Sequence, residues 1–318
     1  MKVFLDMYEN VMKNGRESSP RGLKIKEIEN AVIRGIDSRN PFTSFVSRKL
    51  NVKYACYEFL WYLRADRFDT SIEKHATLWK KIRDDIDGGF NSNYGQYIYH
   101  GQMTRVIDTL VRDPDSRQAV MTLLDQSHLR SGNPDVVCTY SISFRIRRGE
   151  LNMSVNMRSS DAVYGFTNDV FCFSMVHLHV LNTLRGIAKF KNLALGDFTL
   201  KVDSLHIYEK HFEMVNDILK AGKDGYYKID VPEMTPFDAD FMNRFRTFSD
   251  VDESPESEFH CLKKDAEREG LEFFPWLVEM SEYGLKVPAT VDEIPSGLNG
   301  SFGKLPDILN VETLNKSA

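Results

Sequence analysis

Along the first residues, apolar side chains return every third or fourth position at Val3, Phe4, Met7, Val11 and Met12. That period predicts a helix over 3–13. A loop over 17–22 follows, containing Pro20 and Arg21. The alternation Leu23-Lys24-Ile25-Lys26-Glu27-Ile28 then predicts a strand. Residues 54–63, Tyr-Ala-Cys-Tyr-Glu-Phe-Leu-Trp-Tyr-Leu, are apolar on nearly every side and predict a buried helix. Glu58 is the exception within it. A carboxylate in such a place must be paired, protonated or functional.

Residues 88–95, Gly-Gly-Phe-Asn-Ser-Asn-Tyr-Gly, form a turn-rich loop. Strand signals cover 117–124 and 136–158. In the second of these, Ile142, Phe144 and Ile146 alternate with Ser141, Ser143 and Arg145. Arg148-Gly149 supplies a turn, after which Leu151, Met153, Val155 and Met157 alternate with Asn152, Ser154, Asn156 and Arg158. This predicts a hairpin with Arg158 on the polar face. A long apolar helix is expected over 169–187, with Asn168-Asp169 as its cap signal. A strand over 198–208 and a helix over 209–220 come next. Interleaved strands and helices give an α+β chain with a mixed β-sheet packed by helices. Beyond Ser249 the chain turns acidic and loop-rich, then shows two short helical patterns and a Pro/Gly/Asn-rich tail. The division expected is a main domain over 1–248 and an extension over 249–318, packed on it or appended to it.

Composition changes this picture little. The 318 residues are 42% hydrophobic and 27% charged, ordinary for a globular protein. A formal charge of −5 argues against polymeric nucleic acid or an anionic membrane as partner, while leaving room for a basic pocket around one phosphate. No apolar run approaches a membrane span, and residues 1–15 are too charged for a signal peptide. Cys56, Cys138, Cys172 and Cys261 have neither metal-type nor disulfide-framework spacing, which suits a reducing, cytoplasmic compartment. His177 and His179 point to nearly opposite sides of a helix and read as packing residues, so no metal is predicted. Residues 297–304 have the flavour of a phosphate loop with the wrong spacing. Arg145, Arg147 and Arg148 read as a solvated edge of the hairpin.

Several segments, in order, resemble the thymidylate synthase family. They are the loop ending Pro20-Arg21, Tyr57-Glu58-Phe59-Leu60-Trp61-Tyr62-Leu63, Thr77-Leu78-Trp79 and Asn93-Tyr94-Gly95-Gln96. Asp113-Pro114-Asp115-Ser116-Arg117 comes next, and Cys138 then stands just before the hairpin. Arg158-Ser159-Ser160-Asp161, Gly165 and Asp203-Ser204-Leu205-His206-Ile207-Tyr208 complete the series. In register over roughly residues 8–245, they turn Cys138 from one thiol among four into a candidate nucleophile.

The resemblance implies a thymidylate-synthase-like fold, a sheet-mediated homodimer, a pyrimidine nucleotide as substrate and 5,10-methylenetetrahydrofolate as cosubstrate. It implies Cys138, Glu58, Tyr94 and Asp169 as catalytic residues. Arg21, Arg158 and Ser159 would hold the phosphate, with Arg117 reaching in from a second subunit, and His206 and Tyr208 would hold the sugar. Trp79, Asp161 and Gly165 would meet the folate.

Two positions depart from the commoner family pattern. In Gly165-Phe166-Thr167-Asn168-Asp169, an aspartate replaces the base-reading asparagine, and Asn168-Asp169 is similar to the family's deoxycytidylate hydroxymethylase branch. Gln118 replaces a second arginine after Ser116-Arg117, putting one phosphate contact in question.

The chemistry explains the residue types. A thiolate adding at pyrimidine C6 makes C5 nucleophilic toward a one-carbon donor, and it leaves again afterwards. The phosphate-holding arginines are expected to lower the pKa of that thiol. Cytosine offers an N3 acceptor and an N4 donor, the reverse of uracil. A carboxyl at position 169 can accept from N4 while sharing a proton with N3. The bland reading of Asp169 is a helix cap. Glu58 is expected to have a raised pKa and to relay protons through water, and Tyr94 to assist loss of the C5 proton. Water attack after the folate leaves would give a hydroxymethyl product, the first reading here. Hydride transfer, which Trp79 assists in thymidylate synthases, would give a methyl product. A catalytically silent nucleotide- or RNA-binding relative is the reading from a different class. Ribose and deoxyribose are not distinguished.

Overall fold

The computed structural model describes residues 1–237, 239–247, 258–285 and 288–294. The acidic run over 249–256 and the glycine-rich run over 297–304 lie outside them.

Helix α1 (Lys2–Asn14) forms as the apolar spacing predicts, with Phe4, Met7, Tyr8 and Val11 buried in one stripe. A short strand β1 (Arg16–Ser18) pairs with β2 (Ile25–Ile36). The predicted strand thus starts two residues late, because Leu23 is exposed in the loop after Pro20-Arg21-Gly22. Helix α2 (Val52–Arg64) is the buried helix, capped where the Asn51 side chain accepts from the Tyr54 amide. After it come the single turn α3 (Gly95–Tyr97), then α4 (Met103–Arg112) and β3 (Val120–Thr122). The hairpin is β4 (Thr139–Arg147) and β5 (Glu150–Asp161). Arg147 pairs with Glu150, and Arg148 and Gly149 both take positive φ (54° and 75°). That two-residue turn matches the right-handed twist of its flanking strands.

Helix α5 (Gly165–Arg185) links β5 to β6 (Ala194–Tyr208), which run parallel; the other strand pairs are antiparallel. The mixed sheet has the order β1-β2-β6-β5-β4-β3. On one face Ile142, Phe144, Leu151, Met153, Val155 and Met157 are buried with α5, whose burial runs nearly all round. The other face carries Ser141, Ser143, Asn156 and Lys201. The arginine run is only in part a solvated edge, because β3 lies outside β4. Arg145 donates to Ser143 and Ser154, Arg147 donates to the Asp115 carbonyl, and Arg148 alone of the three is exposed, at the turn.

Helix α6 (Phe212–Ala221) follows the sheet, and then α7 (Ala239–Thr247), α8 (Glu258–Arg268) and α9 (Phe273–Tyr283). The last of these packs on α2. Phe273 meets Phe59 edge-on at 6.4 Å, Trp276 lies 6.5 Å from Phe171, and Lys53 Nζ donates to the Glu282 carbonyl at 2.7 Å. From α7, Arg246 donates to the Leu63 carbonyl, one of the carbonyls that a helix end leaves without a partner inside the helix. The late helices therefore join the same core and cover the helix that carries Glu58.

Candidate active site

The topology gathers most of the sequence-derived candidates at one end of the sheet. Parallel pairing sets Ser159 beside Ser204 and Asp161 beside His206 at the carboxyl ends of β5 and β6. Ile25 pairs with Tyr208, so the loop bearing Arg21 enters at the same end. Thr139 pairs with Met157, bringing Cys138 to the first rung of β4.

Cys138 is half-buried there. The Arg158 amide donates to its carbonyl at 2.8 Å, and the Arg158 guanidinium is held by the Val137 carbonyl at 3.0 Å and the Val136 carbonyl at 2.6 Å. Arg158 Nη1 also reaches the Ser159 hydroxyl at 3.5 Å. Burial pushes the thiol above its ordinary value. Arg158 and a hydrogen bond from Ser159 oppose this, but do not overcome it. Arg158 thus acts in the expected direction, but desolvation of the anion outweighs one flanking guanidinium.

Tyr94 reaches the nucleophile because its loop lies directly on α2. A Cβ at Gly95 would stand 1.7 Å from the Tyr62 carbonyl oxygen, so only glycine permits this approach. The Tyr94 ring stacks on Phe173, and its hydroxyl accepts from the Thr139 amide at 3.3 Å. Burial above all, then Cys138 and Asp169, holds the phenol well above its ordinary pKa, so it stays neutral near pH 7. The same loop is fastened to the segment before Cys138. Ser92 donates from its amide and hydroxyl to the Asp135 carboxylate (3.0 and 2.5 Å), and Asn91 donates to the Asp135 carbonyl at 3.1 Å. Sequence reasoning missed this clamp, whose members are distant in sequence.

Asp169 corrects another expectation. Helix α5 begins at Gly165, four residues earlier than predicted, so Asp169 sits in its second turn and caps nothing. Gly165, Asn168 and Asp169 are spaced i, i+3, i+4 and share one face. A Cβ on Gly165 would lie 3.9 Å from Asp169 Oδ2 and 3.8 Å from Asp161 Cβ. No described residue hydrogen-bonds the Asp169 carboxyl, and burial raises it to about 7. Glu58 is buried as predicted. Desolvation, then the charge of Asp169, pushes it to about 8, with Tyr54 pulling the other way. Its Oε2 has no hydrogen-bond partner among the described residues.

His206 is buried, its Nδ1 3.3 Å from the Ser204 carbonyl, with its ring edge-on to Tyr208 at 5.1 Å. Asp161 Oδ1 accepts from the Val163 amide at 3.0 Å. Trp79 packs on Trp61 and Phe90, and its indole N–H is spent on the Tyr54 hydroxyl at 2.9 Å. Its ring, and not its donor, is what Trp79 offers a ligand.

Arg117 is not brought to this group. It is exposed just before β3, at the opposite edge of the sheet from β1. Ala119 bonds to Phe144, six residues or about 20 Å along β4 from Cys138, and Arg117 lies two residues before Ala119, further from the thiol still.

Among the described residues, no group of three or more His, Cys, Asp or Glu side chains is placed to hold a metal ion. His177 is a core residue whose Nδ1 lies 3.0 Å from the Ser38 hydroxyl and whose Nε2 lies 2.9 Å from the Leu151 carbonyl. No helix among the described residues is long and apolar enough to cross a membrane.

The chain is similar to several known proteins. The deoxycytidylate 5-hydroxymethyltransferase of Enterobacteria phage T4 is 30% identical over 195 residues, 58% of this chain and 79% of that protein. The T2 phage counterpart is 29% identical over the same length. The deoxyuridylate hydroxymethyltransferase of Bacillus phage SP01 is 29% identical over 244 residues, 69% of this chain and 60% of that protein. The thymidylate synthase profile matches residues 2–251, from α1 to just past α7, and the chain belongs to the thymidylate synthase family.

Proposed function

We propose that this protein hydroxymethylates C5 of a cytidine monophosphate, dCMP or CMP, with 5,10-methylenetetrahydrofolate as the one-carbon source and tetrahydrofolate as the by-product. The observation that carries the reading is Asp169. It is a carboxyl with no hydrogen bond from a described residue, raised to about 7, on the helix face shared with Gly165 and Asn168. An acid that holds its proton near neutrality can donate to cytosine N3 and accept from N4. Moving that proton onto N3 withdraws electrons from the ring as sulfur adds at C6. An amide in this place could hydrogen-bond but could not deliver the proton.

In this reading Arg21, Arg158 and Ser159 bind the phosphate, and His206 and Tyr208 bind the sugar. The dianionic phosphate beside Arg158 would form part of the substrate's own contribution to positioning Cys138. Cys138 Sγ bonds to C6 and is expelled at the end, when the C5 proton has been lost. The neutral Tyr94 phenol orients the water that takes this proton. Glu58, in the carboxylate fraction that a value of about 8 leaves at neutral pH, takes the proton from the water that becomes the product hydroxyl. Folate fits as a ring stacked on Trp79, with Asp161 as its polar anchor and the space over Gly165 left open; it supplies a methylene carbon at the oxidation level of formaldehyde. No net oxidation or reduction accompanies hydroxymethylation.

The placement of Arg117 just before β3, far along β4 from Cys138, supports its use by a second copy of the chain, with the polar sheet face as the contact. A homodimer with sites shared across the sheets is thus part of the proposal. Main domain and extension, 1–248 and 249–318, are read as one catalytic unit, since α9 covers α2. The cytoplasm of a bacterium or a phage-infected host is the setting that these substrates imply.

The test is covalent capture. A 5-fluoro-substituted cytidylate cannot lose its C5 substituent as a proton, so sulfur should remain on C6 once the one-carbon unit is attached. Peptide mapping should then find nucleotide and folate together on Cys138. A wild-type protein that binds the analogue without any adduct would favour the silent binding relative.

A further inference from the structure

Tyr54 stands four residues before Glu58 on α2, one turn away on the same face. Its hydroxyl receives the Trp79 indole N–H at 2.9 Å. An indole nitrogen only donates, so the Tyr54 oxygen must accept there, and its own proton is left for another acceptor. The Glu58 carboxyl, one turn on along the same helix face, is the acceptor placed to take it, and Tyr54 acts to lower the Glu58 pKa. The backbone at Tyr54 is fixed too, because its amide donates to the Asn51 cap at 3.0 Å. Tyr54 thus stands between Trp79 and Glu58, two side chains that the family resemblance treats separately.

We infer that Tyr54 is a positioning residue for Glu58: a directed phenol that takes its orientation from Trp79 and donates to one carboxyl oxygen, leaving Oε2 as the oxygen for proton traffic. The inference rests on reading Glu58 as the group that handles the attacking water. Because Tyr54 is itself held well above its ordinary pKa, first by burial and then by Glu58, it remains a donor throughout the range in which Glu58 titrates. A hydrogen bond to the charged form favours that form. Tyr54 therefore limits how far burial and Asp169 can lift Glu58, keeping it able to release a proton near neutrality. In the absence of the hydroxyl the acid would be locked, and water attack would slow.

Infrared difference titration of the purified protein tests this without requiring turnover. The band of a buried protonated carboxyl that is missing in Glu58→Gln belongs to Glu58. In wild type it should fade with a midpoint of about 8. Tyr54→Phe keeps the ring and removes only the hydroxyl, and should raise that midpoint by about one pH unit. Trp79→Phe removes the donor that polarises Tyr54, and should raise it by less. A midpoint unchanged or lowered in both variants would overturn the inference. If the midpoint moves as stated but no cytosine nucleotide is ever hydroxymethylated, the assigned reaction fails while the Tyr54–Glu58 link stands.

Discussion

The Arg158 amide donates to the Cys138 carbonyl at 2.8 Å, so the thiol and the nearest guanidinium occupy one rung of the β4–β5 ladder. The guanidinium itself is tied to the carbonyls of Val136 and Val137, which immediately precede Cys138. Nucleophile and cation are thus fixed relative to each other by backbone, and burial still wins over the cation at the thiol. Alkylation of Cys138 by iodoacetamide, followed peptide by peptide because Cys261 is exposed, should have a midpoint above that of an ordinary thiol. Arg158→Ala should raise it further, since Arg158 acts to lower it. A midpoint below the ordinary value would contradict the electrostatic account.

Glu58 couples function to stability. Its folded pKa of about 8 lies above its unfolded value, so between roughly pH 4.5 and 8 the native state binds more protons than the unfolded chain. Stability contributed by this site is fully present below that window and falls as pH rises through it. Glu58→Gln should therefore raise the melting temperature at pH 8.5 relative to wild type, by an amount worth a few kcal/mol at most, and change it little at pH 5. The same substitution should lower kcat at least 100-fold. Thermal melts at the two pH values decide the point, and equal shifts at both would be evidence against a raised Glu58.

Asp169→Asn removes the proton that cytosine N3 needs, while uracil already carries one there. Activity on dCMP should drop by 100-fold or more and activity on dUMP should appear or rise. In wild type, kcat/KM for dCMP should decline as pH passes about 7, where free Asp169 loses its proton, and the Asn variant should lack this limb. Steady-state kinetics with both nucleotides across pH 6–9 measures it.

Arg117 and Cys138 should complement one another in mixed dimers. Arg117→Ala and Cys138→Ala proteins, each nearly inactive alone, form hybrids in which one of the two sites has both native residues. Equal mixing should recover about a quarter of wild-type activity. A single-chain site would give none.

Phe273 is fully buried against Phe59, Phe237 and Trp276, and α9 covers the helix that holds Glu58. Phe273→Ala should cost about 3 kcal/mol or more in denaturant unfolding. If α9 were dispensable, removal of this ring would leave the unfolding midpoint unchanged.

What could be read in advance follows the range of the forces involved. The amphipathic period of α1, the alternation of the hairpin and the Arg148-Gly149 turn are local, and each was legible to within a few residues. The start of α5 was not. Asn168-Asp169 has the chemistry of a cap, yet Gly165-Phe166-Thr167 continues the helix backward, with Thr167 bonded to Thr43 and the Val163 carbonyl. Among the site residues, motif resemblance led to Cys138, Tyr94 and Asp169, which the sheet and the Tyr94 loop bring together. It could not show that burial lifts the thiol, because desolvation depends on segments far apart in sequence. Tyr54 had a signal that went unused: a phenol one helical turn before the lone buried carboxylate. The Ser92–Asp135 clamp had none, since its partners lie 43 residues apart.

The most direct measurement is product mass. Purified protein should be incubated with methylenetetrahydrofolate and, separately, dCMP, CMP and dUMP. The account predicts a gain of CH2O on a cytosine nucleotide with no dihydrofolate absorbance. A gain of CH2 with dihydrofolate, or turnover of dUMP alone, would contradict it.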